Sequence, residues 1–329
     1  MAFAPSDYDL YKLRNPSEFE QAALQLFWYQ YQNNTVYRSF CDLMHVQAET
    51  VKTLEAIPFL PISFFKTHRV SCVESPAEKI FISSTTTGQT PSKHHVHKLE
   101  LYEKSFWTHF VAIYGDPKKY AILALLPSYL ERENSSLVYM AQALIEKSKH
   151  PKSGFYLNEW EQLHKTLLTL EQQKQPTLLL GVSFALLDFV EKFQMQLKHT
   201  LVMETGGMKG RRSEMVREVL HEQLKQGFGV LEIHSEYGMT ELLSQAYATE
   251  KGTFQAPPWM KIFVRSTEDP LEFLDLGKTG ALNIIDLANT ESCAFIATQD
   301  LGKRLPNNRF EVLGRFDHAE IRGCNLLAL

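Results

Sequence analysis

The stretch Ser235-Glu236-Tyr237-Gly238-Met239-Thr240-Glu241 follows the strand candidate Val230 to His234, in which Val230, Leu231 and Ile233 are apolar. A short apolar run that closes on a polar, glycine-bearing loop reads as a buried strand delivering a loop to one end of a sheet. Upstream the same grammar repeats. Tyr120 to Leu126 and Thr177 to Val182 are apolar strands, and Leu201 to Glu204 is a third, closed by Gly206-Gly207. Helical patterns lie between them at Leu137 to Lys147, Phe184 to Phe193 and Ser213 to Gln226, and Leu99 to Tyr114 precedes the first. Alternation of this kind predicts an α/β fold on a mostly parallel sheet, with ligand loops at the carboxyl ends of the strands.

The flanks differ in character. Residues 1–75 read mainly as helix, with Phe19, Ala22, Ala23, Leu26 and Phe27 on one face. From Ala256 onward, Trp259 to Arg265, Gly280 to Leu287, Cys293 to Thr298 and Arg309 to Arg315 are β-rich segments. The expected division is a helical region over 1–75, an α/β domain over 76–255 that carries any ligand loops, and a smaller β-rich subdomain with a C-terminal tail over 256–329.

Composition narrows the function classes. The chain has 329 residues, is 44% hydrophobic and 22% charged, and carries a net charge of -4. That is a globular composition without the basic footprint that nucleic acid requires. No apolar run reaches membrane-spanning length, and no cationic start precedes an apolar core at the N-terminus. Cys41, Cys72, Cys293 and Cys324 are scattered rather than paired in sequence, which points to reduced thiols and a cytoplasmic setting.

Two loops carry chemistry. Ser83-Ser84-Thr85-Thr86-Thr87-Gly88-Gln89-Thr90-Pro91-Ser92-Lys93 places a run of hydroxyls beside a glycine and a nearby cation. Hydroxyls and backbone N–H groups wrap phosphate oxygens, and a lysine offsets their charge. The alternative is a solvated Ser/Thr turn. In the second loop, Tyr237 offers a ring for adenine, Gly238 a tight turn, Thr240 a phosphate partner, and Glu241 a hard oxygen ligand for Mg²⁺. Its alternative is a strand-to-helix turn with Thr240 as cap and Glu241 in the first helical turn. His94, His95 and His97 read as a loop rim that could add positive charge near the phosphates. His109, Phe106, Trp107, Phe110 and Phe184 read as core.

With these loops in hand, the sequence resembles the adenylate-forming superfamily of acyl-CoA synthetases, luciferases and adenylation domains. Within it, the chain is most similar to the acyl-protein synthetase (LuxE-type) family. The 84–93 loop resembles the superfamily's phosphate loop, and Tyr237 to Glu241 its adenine and magnesium motif. Gly206-Gly207 resembles the glycine pair beside the nucleotide, Thr298-Gln299-Asp300 the segment whose aspartate holds ribose, and Gly314-Arg315-Phe316-Asp317 the hinge motif.

The resemblance implies ATP and Mg²⁺ as cofactors, with Ser84, Thr86, Thr87, Gly88, Gly206, Gly207, Tyr237, Gly238, Asp300 and Arg315 around the nucleotide. Glu241 would hold the metal, and Thr240, Glu241 and Lys93 would serve the chemistry. It further implies a carboxylic acid substrate, fatty or related, and an acyl group carried on Cys324 toward an acyl-reductase or carrier protein partner.

Thr85 stands where the superfamily has glycine. No segment resembles the C-terminal lid domain and its lysine, for which Lys93 and Lys209 are substitutes. The rival expectations are transfer to coenzyme A, as in phenylacetate–CoA ligases, and a nucleotide- or acyl-binding module without turnover.

Overall fold

The computed structural model describes residues 9–13, 15–84, 90–126, 134–206 and 215–315. Helix α1 (Pro16–Asn33) begins on Asn15, whose side chain accepts the Glu18 N–H, with proline at the first helical position. Its buried stripe is Phe19, Ala22, Ala23, Leu26, Phe27 and Gln30, the face expected from the 3.6-residue period. Asn34 ends α1 and caps α2 (Thr35–Leu43). Two buried amides then bind this helical layer to the distant segment 289–294. Gln30 donates to the carbonyls of Asn289 (2.8 Å) and Thr290 (3.2 Å) and accepts from the Ala294 N–H. Asn34 donates to the Ser292 carbonyl at 3.1 Å.

Strand β1 (Leu60–Pro61) and helix α3 (Phe64–Thr67) lead to a separate hairpin of β2 (Lys79–Ile82) and β3 (Lys93–Val96). The alternating region follows as α4 (Leu99–Tyr114), β4 (Ala121–Leu125), α5 (Ser136–Ser148), β5 (Gly154–Phe155), α6 (Trp160–Gln172), β6 (Thr177–Val182), α7 (Ser183–Lys192), β7 (Thr200–Thr205), α8 (Arg217–Phe228) and β8 (His234–Tyr237). Every residue of β4 and β6 is buried, as expected of parallel strands covered on both faces. The remaining strands are β9 (Ala246–Ala248), β10 (Thr253–Gln255), β11 (Met260–Arg265), β12 (Thr279–Asp286), β13 (Phe295–Leu305) and β14 (Arg309–Arg315). No described helix is long and apolar enough to cross a membrane.

One twelve-stranded sheet runs in the order β11-β12-β13-β14-β10-β9-β8-β7-β6-β4-β5, with β1 parallel to β13. From β5 to β8 the pairing is parallel; from β8 to β11 it is antiparallel. The α/β fold expected from the sequence is therefore present, and its hydrogen bonding continues through residue 255 into the β-rich part. The joint is made by β9 and β10, three residues each, which the sequence pattern does not announce. Strand β8 also starts later than Val230, because Leu231 is 91% exposed and belongs to the turn after α8. Among the described residues no separate lid-like lobe accompanies the sheet.

Helices α7 and α8 approach closely at Gly227, where an added Cβ would lie 2.4 Å from Val190 Cβ. Gly227→Ala gains helix propensity of about 1 kcal/mol but forces an overlap costing about 1–3 kcal/mol. We expect a net loss in the denaturant midpoint for Gly227→Ala, and its recovery in the Gly227→Ala, Val190→Ala double variant.

Candidate active site

The carboxyl ends of β7 and β8 place the second motif. Met203, Glu204 and Thr205 pair with His234, Ser235 and Glu236, so Glu236 and Tyr237 project to opposite faces of the sheet. The Tyr237 ring packs at 5.7 Å from Phe254 and 5.4 Å from Phe310, between centroids. Its hydroxyl donates to Asp300 Oδ2 at 2.7 Å, and burial raises that phenol well above its ordinary pKa, which keeps it a donor. Arg315 Nε donates to the other oxygen, Asp300 Oδ1, at 3.2 Å.

Asp300 and Arg315 face each other as Cα partners across β13 and β14. The register then shifts, so that Leu301 pairs with Gly314 and Gly302 with Val312, leaving Leu313 as the extra residue of a bulge. Gly314, at φ 148°, supplies a backbone conformation that side-chain-bearing residues rarely adopt. Asp300 is steadied from behind: its N–H donates to Thr298 Oγ1, which in turn donates to the Leu282 carbonyl.

The hydroxyl-rich loop meets the same place. The Ser83 N–H donates to the Ser92 carbonyl (3.1 Å), and the Ser92 N–H to Ser83 Oγ (2.9 Å), closing the mouth of the β2–β3 connection. The Ser92 hydroxyl lies beside the Glu241 carboxyl and acts to lower its pKa. Next to it, His94 Nδ1 lies 2.8 Å from the Thr240 carbonyl, which can only accept, so this nitrogen carries the proton. Burial raises the Glu241 pKa; the Ser92 hydroxyl, its own backbone N–H and the Arg315 charge act against that, while Asp300 adds to it. Glu241, Asp300 and Arg315 are thus electrostatic neighbours, and the flank of the first loop is bonded to the second. Ser84 and Lys93 are exposed at either side of the mouth.

Residues 238–245 form neither strand nor helix, which removes the strand-to-helix alternative for Thr240 and Glu241. Instead the Asp286 carboxylate accepts the N–H groups of Leu243 (2.8 Å) and Ser244 (2.9 Å) and the Ser244 hydroxyl (2.6 Å). Asn289 donates to the Glu241 carbonyl at 2.9 Å. A Cβ at 238 would stand 2.6 Å from Glu236 Oε1, so a side chain there would displace the end of Glu236. Gly206 ends β7 at φ 68°, its carbonyl 2.8 Å from the Ser183 hydroxyl. Thr85, Thr86, Thr87, Gly88, Gly207, Lys209 and Cys324 lie outside the described residues.

The histidine run does not supply a charged rim at position 94. His94 is 1% exposed, and burial lowers its pKa to about 4, so it is neutral near pH 7. His109 is likewise buried, lowered to about 4, and stacks on Tyr247 at 5.4 Å. Ser92 and His94 appear in the motif reading in other roles, while Asp286 and Asn289 are the supporting residues that it missed. Their signal is weak, being single polar residues at strand ends.

Unfolded imidazoles titrate near 6.5. Between pH 6.5 and 4 the unfolded chain therefore binds more protons than the folded one, and stability falls as pH falls. His94 alone should account for about 3 kcal/mol of that loss by pH 4. Denaturant midpoints measured from pH 7.5 to 4.5 should slope less steeply for His94→Gln than for the parent.

Comparison with known proteins gives a consistent picture. A family model described as acyl-protein synthetase, LuxE, matches residues 11–328. A long-chain-fatty-acid–luciferin-component ligase of Aliivibrio fischeri is 23% identical over 330 residues, covering 92% of this chain and 85% of the relative. Among solved structures, 2-hydroxyisobutyryl-CoA ligase in the thioesterification state aligns at a TM-score of 0.68 and 14% identity, over 97% of this chain and 76% of that one. ATP-bound MatB from Rhodopseudomonas palustris aligns at 0.52 and 16% identity, over 72% and 47%. At these identities the structural likeness speaks for the fold, and the chain spans about half the length of the MatB-type structures it matches.

Proposed function

Because the chain belongs to the acyl-protein synthetase (LuxE) family, we propose that it uses ATP to activate a fatty or related carboxylic acid and passes the acyl group to a protein thiol. The observation that carries this reading is the meeting of the two loops, Ser92 on Glu241 and His94 on Thr240, beside the Tyr237–Asp300–Arg315 cluster. One carboxylate oxygen of the acid attacks the α-phosphorus, the bond to the bridging oxygen breaks, and pyrophosphate leaves with its electron pair. Both reactants are anions, so positioning and charge neutralisation lower the barrier more than proton transfer does.

Each residue has a place in this reading. Asp300 accepts from the ribose hydroxyls, with its carboxylate oriented by Tyr237 and Arg315. Gly238 and Thr240 approach the α-phosphate; Ser84, Thr86, Thr87, Gly88 and Lys93 hold the departing pyrophosphate; Gly206 and Gly207 lie along the nucleotide. Glu241 suits Mg²⁺. It is a buried carboxylate with a raised pKa, and among the described residues no group of three His, Cys, Asp or Glu side chains forms a protein cage, so substrate phosphates would complete the coordination. Bound there, the ion would polarise the phosphates. The Cys324 thiolate then attacks the acyl carbon, AMP leaves, and the thioester is ready for an acyl-reductase or carrier protein.

Asp300→Asn should raise the KM for ATP about 10- to 100-fold, the cost of a lost charge-assisted bond, with a smaller rise for Tyr237→Phe. ATP–pyrophosphate exchange measures both; an unchanged KM in Asp300→Asn would remove Asp300 from the nucleotide site. Intact-protein mass spectrometry after incubation with ATP, Mg²⁺ and mixed acids should show a thioester adduct on the parent and none on Cys324→Ala. Free acyl-CoA formed without an adduct would redirect the acyl group to coenzyme A.

A further inference from the structure

A row of polar side chains crosses the sheet on the face packed against α4. Thr205 of β7 is the Cα partner of Glu236 of β8, and Glu236 is the Cα partner of Tyr247 of β9. The Thr205 hydroxyl donates to the Glu236 carboxylate. The Tyr247 ring lies against His109 and Tyr114 of α4, at 5.4 and 5.3 Å. Gln245, just before β9, lies near the Tyr102 hydroxyl of the same helix and acts to lower its pKa. All four residues of this patch are at least nine-tenths buried, with Gln245 at 3% and Tyr247 at 1% exposure.

Two atoms in the patch, the Tyr247 hydroxyl and Gln245 Oε1, have no hydrogen-bond partner. A buried polar atom left so is destabilising, and a hydrocarbon chain laid against it would leave that cost in place. The patch also borders the loop of the candidate site. A Cβ added to Gly238 would sit 2.6 Å from Glu236 Oε1 and 3.3 Å from Gln245 Cγ, so both side chains lie directly beneath an exposed glycine. Tyr237, the neighbouring residue, turns to the opposite face and joins Asp300 and Arg315. The loop therefore separates the side assigned to the nucleoside from the side toward α4.

Resting on the adenylation reading above, we propose that the activated acid carries a hydrogen-bond donor close to its carboxyl group, a hydroxyl or an ammonium, and that Glu236, Gln245 and Tyr247 recognise it. Glu236 and Gln245 Oε1 accept from the donor, and the Tyr247 hydroxyl bonds its oxygen or completes the shell. An ammonium would also be balanced by the Glu236 charge. An unsubstituted acid of the same length enters without satisfying Gln245 Oε1 and the Tyr247 hydroxyl and is disfavoured for that reason.

ATP–pyrophosphate exchange with 3-hydroxy, 3-amino and unsubstituted acids of equal length tests this and separates the two donors. One substituted acid should exceed the unsubstituted one in kcat/KM by about tenfold or more. Tyr247→Phe and Glu236→Leu should each shrink that ratio severalfold, chiefly through KM for the substituted acid. Tyr247→Phe keeps the ring and removes only an unpartnered hydroxyl, so its melting temperature should hold or rise, which guards against misfolding as the cause. Preference for the unsubstituted acid, unchanged in Tyr247→Phe, would overturn the proposal while leaving adenylation intact. Absence of exchange with every acid tried, in a protein that binds ATP, would overturn both.

Discussion

The site depends on satisfying the backbone of a buried irregular loop. Residues 241–245 are buried yet belong to no strand or helix, so their polar groups need partners from elsewhere in the chain. The Asp286 carboxylate supplies acceptors for two successive N–H groups, Asn289 donates to the Glu241 carbonyl, and His94 donates to the Thr240 carbonyl. The partners come from two distant parts of the sequence, His94 from β3 and Asp286 and Asn289 from the end of β12 and the turn after it. Remove them and the loop could keep its path only with unpaired groups in a dry interior. Burial keeps His94 neutral against the pull of this bond, and the proton the ring retains is the one on Nδ1 that the Thr240 carbonyl accepts.

The continuous sheet explains how distant motifs become neighbours. Strands β9 and β10 carry the hydrogen bonding from β8 to β14, and β14 carries it to β13, where Asp300 sits. The tyrosine and aspartate, 63 residues apart, thereby come within one hydrogen bond. The bulge near Gly314 then resets the alternation of β14 so that Arg315 stands beside Asp300. Chemistry at this end of the molecule is built from strand ends and turns, held by a rigid ladder.

Much of the architecture was legible because β4 and β6 are apolar throughout, which is the mark of strands buried on both faces. The helical face of α1 was equally plain from its period. The two loops of the candidate site were legible as types of residue, since hydroxyls, glycines and carboxylates reveal what they can bind. Their support was not. Asp286 and Asn289 look like ordinary polar residues at a strand end, and nothing local shows that they face a loop some 45 residues upstream. Strands β9 and β10, Ala-Tyr-Ala and Thr-Phe-Gln, are too short to show a period. The start of β8 was misplaced because Leu231 imitates a strand residue while pointing to solvent.

The pairing of β1 with β13, and the bonds from Gln30 and Asn34 to residues 289–294, tie the beginning of the described chain to its end. During synthesis, α1 leaves the ribosome hundreds of residues before the surface it covers. At roughly 5–20 residues per second, its apolar stripe stays uncovered for tens of seconds. Closure over such a span is slow to nucleate, because chain entropy is spent before any contact repays it. A nascent chain of this topology is exposed to aggregation for that interval, and holdase chaperones would have a long window in which to engage its first helix.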